Sequence, residues 1–319
     1  MAELIHPLDE DDGPVSFAER QRATRRSTWV SVAVNVVLTG VQLAVGVLAH
    51  SQALVADAIH SLSDLVSDFV VLVAAHFSAK DADADHPYGH HRYENAASLA
   101  LGVILLAVGT GMIGSAATKL QAIDTLPTVQ AAALWVALGA LVGKELLFRY
   151  MLTVAKRVKS SLLVANAWHA RSDAASSLVV AVGIAGNLLG YPMLDPVAAL
   201  IVGFMVAKMG WQFGWAALHD LMDRAADDDE VEAIRQTLLQ SPGVRGVHDL
   251  HTRKMGDMIL ADVHLEVDAH LTVEASHHLA AEARARVLQR HRVLNLLTHV
   301  DPWQKPDEDH AVTEQAVQR

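Results

Sequence analysis

The sequence predicts a polytopic α-helical membrane protein with six transmembrane helices and a C-terminal α+β domain. Of its 319 residues, 52% are hydrophobic and only 19% are charged, whereas soluble domains carry about 25% charged residues. The apolar residues concentrate in long blocks before Leu221, and the segment from Arg224 onward has the composition of a soluble domain. The surplus of apolar residues therefore indicates membrane spans followed by a soluble domain.

Six apolar blocks predict the transmembrane helices, since a helix needs about 20 mostly apolar residues to cross a bilayer. They run from Thr28 to Leu48, Leu54 to Ala79, Asn95 to Ala117, Val129 to Val154, Leu162 to Leu189 and Pro192 to Leu218. Arginine and lysine cluster before the first block, in the second and fourth connections and after the sixth block. The positive-inside bias therefore predicts a multi-pass protein of the cell (inner) membrane with both termini in the cytoplasm.

The segment after the sixth block has helix and strand patterns in the order αββαβ, which predicts helices on one face of a small sheet. The predicted elements are a helix at 229–240, strands at 246–253 and 258–267, a helix at 273–290 and a strand at 294–300. The predicted organisation is a disordered N-terminus (1–18), a six-helix transmembrane domain (19–223), a cytoplasmic domain (224–303) and a disordered tail (304–319).

Charge and composition exclude several function classes. The formal net charge is −11, from 25 Lys and Arg against 36 Asp and Glu, which argues against a protein that binds nucleic acid. The sequence has no cysteine and 18 histidines, so a metal site must use imidazole nitrogen and carboxylate oxygen. No G-x-x-x-x-G-K-S/T motif occurs, so ATP is not the expected energy source.

Ionisable residues inside the apolar blocks predict a metal site, because a charged side chain at the centre of a membrane helix costs about 3 kcal/mol. The pattern His-x-x-x-Asp occurs twice, as His60–Asp64 and His169–Asp173, and it places both side chains of a pair on one helix face. Two nitrogens and two oxygens suit a tetrahedral divalent ion, with Zn²⁺ fitting best and Fe²⁺, Co²⁺ and Cd²⁺ as alternatives. The other interpretation is that these side chains hydrogen-bond neighbouring helices.

Four further charged residues lie in the second and fourth blocks. Asp57 and Asp68 are expected to line the approaches to the site rather than to bind the metal. Lys144 and Glu145 are expected to pair or to extend toward the cytoplasmic end of their helix.

Two further clusters are candidates for metal binding outside the membrane. Asp83, His86 and His90 can converge in the loop between the second and third blocks, although a solvated acidic loop is an equal alternative. In the C-terminal domain, the strands can gather four candidate ligands at one edge of the sheet: His248, His264, His299 and Asp301. Histidines are also common on strand surfaces without any metal.

Four motifs together resemble the cation diffusion facilitator family, and within it the bacterial zinc and ferrous-iron efflux branch. They are Ala56-Asp-Ala-Ile-His-Ser-Leu-Ser-Asp64, His86-Pro-Tyr-Gly-His90 leading to Glu94-Asn95, His169-Ala-Arg-Ser-Asp173 and Thr298-His-Val-Asp-Pro302. The resemblance covers almost all of the chain from Arg25 to Trp303. One position departs from it, since that branch has Asp where this chain has His60, and a His there is similar to the zinc-preferring branch.

The resemblance implies six helices, a metallochaperone-like cytoplasmic domain that binds metal and forms a homodimer, and exchange of metal for protons. It implies a transport site of His60, Asp64, His169 and Asp173, and a loop site of Asp83, His86 and His90. It also implies a binuclear dimer site of His248, His264, His277, His299 and Asp301, and an inter-subunit charge interlock of Arg92 and Asp223.

The sequence therefore predicts a proton-coupled antiporter that exports Zn²⁺ by alternating access, with Fe²⁺, Cd²⁺ or Co²⁺ as further substrates. Zn²⁺ is expected both as substrate and as a structural ion. The expected partners are a second copy of the chain, the lipid bilayer, divalent metal ions and protons. Two alternatives from other classes are a zinc hydrolase within the membrane and a metal sensor or scaffold whose membrane part only anchors the soluble domain.

Overall fold

The computed structural model describes residues 17–122, 128–157, 161–256 and 258–303. Within these residues, six long helices precede a mixed domain. The helices are α1 (Phe17–Leu48), α2 (Gln52–Ser78), α3 (Arg92–Gln121), α4 (Ala131–Arg157), α5 (Ser161–Leu188) and α6 (Leu194–Leu221). The mixed domain contains α7 (Asp228–Leu239), β1 (Gly246–Met255), β2 (Met258–Asp268), α8 (Val273–Arg290) and β3 (Val293–Trp303). The predicted fold class, six helices followed by αββαβ, is confirmed.

The predicted disordered ends fall largely on residues 1–16 and 304–319, which lie outside the described residues. Helix α1 begins at Phe17, two residues inside the N-terminal segment predicted as disordered. It starts well before the first apolar block, because the residues from Phe17 to Arg26 have no helix breaker among them even though they are polar.

Five of the described helices are long and apolar enough to cross a membrane by length and composition: α1 from Arg25 onward, α2, α3, α4 and α6. Helix α5 has 28 residues but does not meet that measure of composition. The reason is the polar group in its first half, where His169, Arg171 and Asp173 follow one another closely. The helix that departs most from a plain membrane span is therefore one that carries predicted metal ligands.

The faces of these helices divide into exposed large side chains and a core of small ones. Trp135 is 73% exposed and Leu72 is 70% exposed, as expected for side chains that face lipid. The first core cluster instead contains many buried alanines, among them Ala133, Ala137 and Ala198. Small residues allow close helix contact in membranes. At Gly183 of α5, an added Cβ would lie 2.4 Å from Cβ of Ala198 in α6.

The N-terminus of helix α2, which carries His60 and Asp64, is capped by a carboxylate from α6. Asp195 accepts hydrogen bonds from the backbone N–H groups of Gln52, at 2.7 Å, and Ala53, at 3.3 Å. It also accepts one from the Ser51 hydroxyl at 2.6 Å. A carboxylate at this position satisfies donors that a helix leaves free at its first turn and complements the helix dipole.

The mixed domain contains a three-stranded sheet in the order β1-β2-β3. Strand β1 pairs antiparallel with β2, and β2 pairs parallel with β3, so the connection from β2 to β3 requires a crossover, which α8 provides. The core of the domain contains Ile234 and Leu238 from α7, Leu265 from β2 and Val287 from α8. The register places His264 opposite both His248 and His299. One row across the sheet thus carries three imidazoles.

The chain forms two compact units. Of the described residues, one unit contains those up to Phe69 together with those in Val103–Trp211, and the other contains Val70–Gly102 together with those from Gln212 onward. The sequence predicts a domain boundary at residues 223 and 224, whereas the units divide within α2, α3 and α6. The second unit includes helix ends because they contact the mixed domain, as where Gly256 N–H donates to Asn95 Oδ1 at 3.1 Å.

Candidate metal centres

Three of the four side chains predicted for the transport site come together in the structure. One ligand atom from each of His60, Asp64 and Asp173 lies within 4.8 Å of the others. His60 and Asp64 lie one turn apart on α2, with Nδ1 of the histidine 3.9 Å from Oδ2 of the aspartate. Asp173 comes from α5. His60 is only 6% exposed, and its Nδ1 atom has no hydrogen-bond partner among the described residues. An imidazole nitrogen buried without a partner beside two carboxylates is a suitable ligand for a divalent ion.

His169, the fourth predicted ligand, is not part of this group. It lies one turn before Asp173 on α5, as its spacing requires, but its side chain is exposed. Its role as a ligand therefore stays a prediction.

The expectation for Lys144 is wrong. Lys144 neither pairs with Glu145 nor extends to the end of α4, and it is 3% exposed. Its Nζ atom lies 3.4 Å from both carboxylate oxygens of Asp57, and Glu145 instead pairs with Arg149 at 2.8 Å. Lys144 lies near the middle of α4, too far from either end for its ammonium to reach water, so a buried partner stabilises its charge.

The expectation for Asp57 also fails, because this residue is fully buried and lines no approach. Besides Lys144, its carboxylate accepts hydrogen bonds from Gln42 Nε2 at 2.5 Å, Ser177 Oγ at 2.7 Å and Ser176 Oγ at 3.2 Å. Asp68, by contrast, is exposed, one turn beyond Asp64. Sequence reasoning missed this polar network, although an acidic and a basic residue in separate apolar blocks was a signal for it.

The loop site forms in the connection between α2 and α3. Asp83 Oδ1 lies 3.4 Å from His86 Nδ1, and Asp83 Oδ2 lies 3.3 Å from His90 Nε2. Two ligands on a tetrahedral zinc ion, with bonds of 2.0–2.1 Å, are about 3.3 Å apart. The three side chains are therefore spaced as ligands of one ion would be.

Backbone contacts prepare these loop residues for metal binding. The N–H of His86 donates to Asp83 Oδ1 at 2.7 Å, and this hydrogen bond holds the pKa of the Asp83 carboxyl below its usual value. Nδ1 of His90 lies 3.1 Å from the Asp81 carbonyl. That contact assigns the proton to Nδ1, because a carbonyl only accepts, and leaves Nε2 free for a metal.

The cytoplasmic cluster centres on Asp301 at the end of β3. Its Oδ2 lies 2.8 Å from Nδ1 of His264 and 3.3 Å from Nε2 of His248, and its Oδ1 lies 3.3 Å from Nε2 of His299. The hydrogen bond with His264 lowers the pKa of the Asp301 carboxyl, so it stays ionised well into acid. His277 is exposed on α8 and is not part of the three-residue group formed by His248, His264 and Asp301.

The predicted charge pair forms within a single chain. A guanidinium nitrogen of Arg92 donates to Oδ1 of Asp223, and another donates to the Leu221 carbonyl at 3.3 Å. These contacts join the start of α3 to the segment after α6. An arrangement between two subunits stays a prediction.

Two family models match the chain. The cation efflux transmembrane domain matches residues 28–222, and the cytoplasmic domain of cation efflux proteins matches residues 226–303. The chain belongs to the cation efflux, or cation diffusion facilitator, family. Members of this family are metal transporters rather than enzymes, so the interpretation as a zinc hydrolase is abandoned. The chain is a multi-pass membrane protein, and its mixed domain is a cytoplasmic domain.

Relatives of the chain are found in plants and bacteria. Metal tolerance protein C1 of Arabidopsis thaliana is 36% identical over 81% of this chain. The chain spans only 58% of that protein's length. Metal tolerance protein 2 of Oryza sativa is 34% identical over 88% of this chain and 79% of its own length. The manganese efflux system protein MneS of Bacillus subtilis is 33% identical over 86% of this chain and 94% of its own length.

A solved structure of MamM-CTD is 29% identical and covers 24% of this chain and 100% of its own length, with a TM-score of 0.23. The relatives include a manganese efflux protein, and none of those described places this chain in the zinc and ferrous-iron branch of the cation efflux family.

Proposed function

We propose that this cation efflux protein exports divalent metal ions from the cytoplasm in exchange for protons, with Zn²⁺ as its preferred substrate. The observation that carries the proposal is the convergence of His60, Asp64 and Asp173 between two membrane helices. Ionisable side chains are rare inside membrane helices and mark ion pathways. Three such side chains that converge can replace the water ligands of a divalent ion within the membrane domain, where a transporter must bind its substrate.

The preference for Zn²⁺ follows from the ligand types. His60 supplies an imidazole nitrogen, and His169 would supply a second on turning toward Asp173. Imidazole suits Zn²⁺, Fe²⁺ and other transition metals, whereas carboxylates alone suit Mn²⁺ and Mg²⁺. Two carboxylates also balance the charge of a divalent ion in a low-dielectric interior. Fe²⁺, Cd²⁺ and Co²⁺ fit the same ligands as further substrates.

Proton exchange follows from the same imidazole. A histidine must lose its proton to bind a metal and can take one up to release it. A site that faces the cytoplasm and the outside in turn would load metal on one side and exchange it for protons on the other. We further propose a homodimer in the inner membrane with both termini in the cytoplasm.

Mn²⁺ is the second candidate substrate. It is supported by the relative MneS, which is named as a manganese efflux protein, and by the two carboxylates Asp64 and Asp173, whose hard oxygens suit Mn²⁺. The preference between Zn²⁺ and Mn²⁺ therefore depends on how strongly the His60 imidazole contributes to metal binding.

Flux into proteoliposomes under an imposed pH gradient tests the proposal. The protein is reconstituted, and uptake of Zn²⁺, Mn²⁺, Cd²⁺ and Fe²⁺ is measured singly and in competition, with and without the gradient. We expect Zn²⁺ to be transported fastest, and we expect its uptake to be accompanied by proton movement in the opposite direction. Faster Mn²⁺ flux would assign manganese as the substrate, and flux indifferent to the gradient would contradict proton exchange.

His60→Asp is expected to shift selectivity away from Zn²⁺ toward Cd²⁺, Fe²⁺ or Mn²⁺. A hard oxygen replaces the borderline nitrogen, and the ligand type that zinc favours is weakened. Competition flux in proteoliposomes measures the shift. The matched control is His76→Asp, the same change at an exposed position on α2. Zinc preference that survives in His60→Asp would remove His60 from the ligand set.

Metal is expected to tighten dimerisation of the fragment spanning residues 224–303, which has its own buried core. An ion that binds only the assembled state stabilises it by about 2.7 kcal/mol at a hundredfold excess over Kd. Sedimentation with and without Zn²⁺ measures this effect. His264→Ala should abolish the response, whereas His270→Ala, an exposed histidine outside the cluster, should retain it. An association constant indifferent to zinc would leave these histidines as ordinary surface residues.

The zinc effect on this fragment should disappear as the pH falls from about 7.5 to about 5.5, because protons compete with the metal for the imidazole nitrogens. The pKa of Asp301 is lowered, so its stabilising contribution is present above the ordinary carboxyl pKa and is lost only as the pH falls below that value. Loss of association in this pH range would therefore be due to protonation of the imidazoles rather than of Asp301. Association lost only below about pH 4, near the ordinary carboxyl pKa, would assign the effect to Asp301 instead.

A further inference from the structure

Lys144 and Asp57 form an ion pair within the membrane helices, and neither belongs to the predicted metal ligands. Asp57 is 0% exposed and Lys144 is 3% exposed. The Lys144 ammonium lies 3.4 Å from both Asp57 oxygens and donates to Ser177 Oγ at 2.8 Å and Ser61 Oγ at 3.1 Å. Its three protons therefore all have acceptors.

The Asp57 carboxylate is likewise surrounded by polar groups. Gln42 and Ser177 donate to Oδ2, Ser176 donates to Oδ1, and the Lys144 ammonium lies equidistant from both oxygens. A cation thus already occupies the place that a metal ion would need beside this carboxylate. While the ammonium stays there, Asp57 cannot act as a metal ligand.

The network lies directly beside the ligands of the transport site. On α2, Asp57 precedes His60 by three residues, which is a rise of about 4.5 Å along the helix, and Ser61 follows His60 immediately. On α5, the Ser176 hydroxyl contacts Asp57 and also the backbone carbonyl of Asp173, at 2.8 Å. Asp57 therefore lies within one helical turn of the site on α2, and its carboxylate is paired with Lys144.

We propose that Lys144 is a specificity-determining residue, which keeps the transport site selective for nitrogen-preferring metals by withholding the Asp57 carboxylate from it. The inference rests on the proposed function in that it concerns the same site. With the ammonium present, the site has two carboxylates, Asp64 and Asp173, for a divalent ion. Without it, a third carboxylate becomes available, and the proportion of hard oxygen ligands at the site rises.

The expected direction of the change follows from ligand chemistry. Mn²⁺ prefers oxygen ligands and accepts more of them than tetrahedral Zn²⁺ does. Removing the charge at Lys144 should therefore raise Mn²⁺ transport relative to Zn²⁺. A purely structural role for the pair would reduce the flux of both metals alike and leave their ratio unchanged.

The experiment compares the Mn²⁺ to Zn²⁺ flux ratio of the full-length protein in proteoliposomes across four variants. Lys144→Gln removes the charge and keeps a donor of similar length, and it should raise the ratio about tenfold, equivalent to about 1.4 kcal/mol. Lys144→Arg should keep the wild-type ratio. The double variant Asp57→Asn/Lys144→Gln should return to it, because the third carboxylate is gone. Lys156→Met, at an exposed position of α4, is the control.

An unchanged ratio in Lys144→Gln, or a double variant that keeps the raised ratio, overturns the inference. If Lys144→Gln is not recovered as a folded protein, it is prepared with Mn²⁺ or Zn²⁺ present and its thermal unfolding is followed. Stabilisation by Mn²⁺ at a lower concentration than Zn²⁺ supports the inference. If neither metal allows folded Lys144→Gln protein to be recovered, the inference is overturned, because Asp57 then serves only as the ion-pair partner of Lys144.

Failure of the proposed function can be distinguished from failure of the role proposed for Lys144. A wild-type protein that moves Mn²⁺ faster than Zn²⁺, or without protons, contradicts the proposed function. The further inference concerns only the change of the ratio between wild type and variant, and it can hold in either case.

Discussion

Asp173→Asn is expected to abolish metal transport while leaving the protein folded. The amide has almost the volume of the carboxylate but loses the charge that balances a divalent ion. Partners that merely orient a metal ligand are worth about 10–100-fold in affinity or activity, so loss of a ligand itself should reduce flux by more than about 100-fold. Zn²⁺ flux in proteoliposomes measures the effect, and size-exclusion chromatography verifies the fold.

Two comparisons make this prediction specific. Asp64→Asn should reduce flux as severely, because both carboxylates belong to the group that converges with His60. Asp68→Asn is the matched control, since Asp68 lies one turn further along α2 and is exposed. Near-normal flux from Asp173→Asn, or equal losses in all three variants, would remove the convergent group from the transport site.

Asp57→Ala is expected to destabilise the protein by about 3–5 kcal/mol, because it leaves the ammonium of Lys144 buried without a counter-charge. The double variant Asp57→Ala/Lys144→Met should recover most of that loss, since replacing both partners of a buried ion pair with apolar groups is often nearly neutral. Thermal unfolding of the detergent-solubilised protein measures both effects.

Asp68→Ala serves as the control for stability, because it removes an exposed carboxylate from the same helix. It should leave the unfolding temperature almost unchanged. A double variant less stable than Asp57→Ala alone would show that the two charges are not each other's main partners.

The fold could be predicted because its determinants are local in the sequence. Long apolar blocks identify membrane helices without knowledge of their neighbours, and the αββαβ order follows from strand and helix patterns within residues 224–303. Helix α5 was harder to assign by composition, since the polar residues from His169 to Asp173 interrupt its apolar character. Its assignment rested on the length of the apolar block from Leu162 to Leu189.

The candidate sites were predictable to the extent that spacing fixes them. Asp83, His86 and His90 lie close in sequence and converge as expected. His169 shares a helix face with Asp173, but periodicity specifies a face and not a side-chain direction, and His169 is exposed. His277, which only the family resemblance implies, is also exposed. Lys144 was misassigned because its partner Asp57 is 87 residues away, and only the packing of α2 against α4 brings the two charges together.

The carboxylate of Asp195 restricts how the ends of two membrane helices can move. Because it accepts from two backbone N–H groups at the start of α2, separating α6 from α2 at this end would leave both donors without an acceptor. Each unsatisfied buried donor costs about 1–3 kcal/mol. Asp195 and Ser51 are both nearly fully buried where the two helix ends meet. We therefore expect the two helix ends to move together, so that an opening at this end of the bundle carries the start of α2 along with α6.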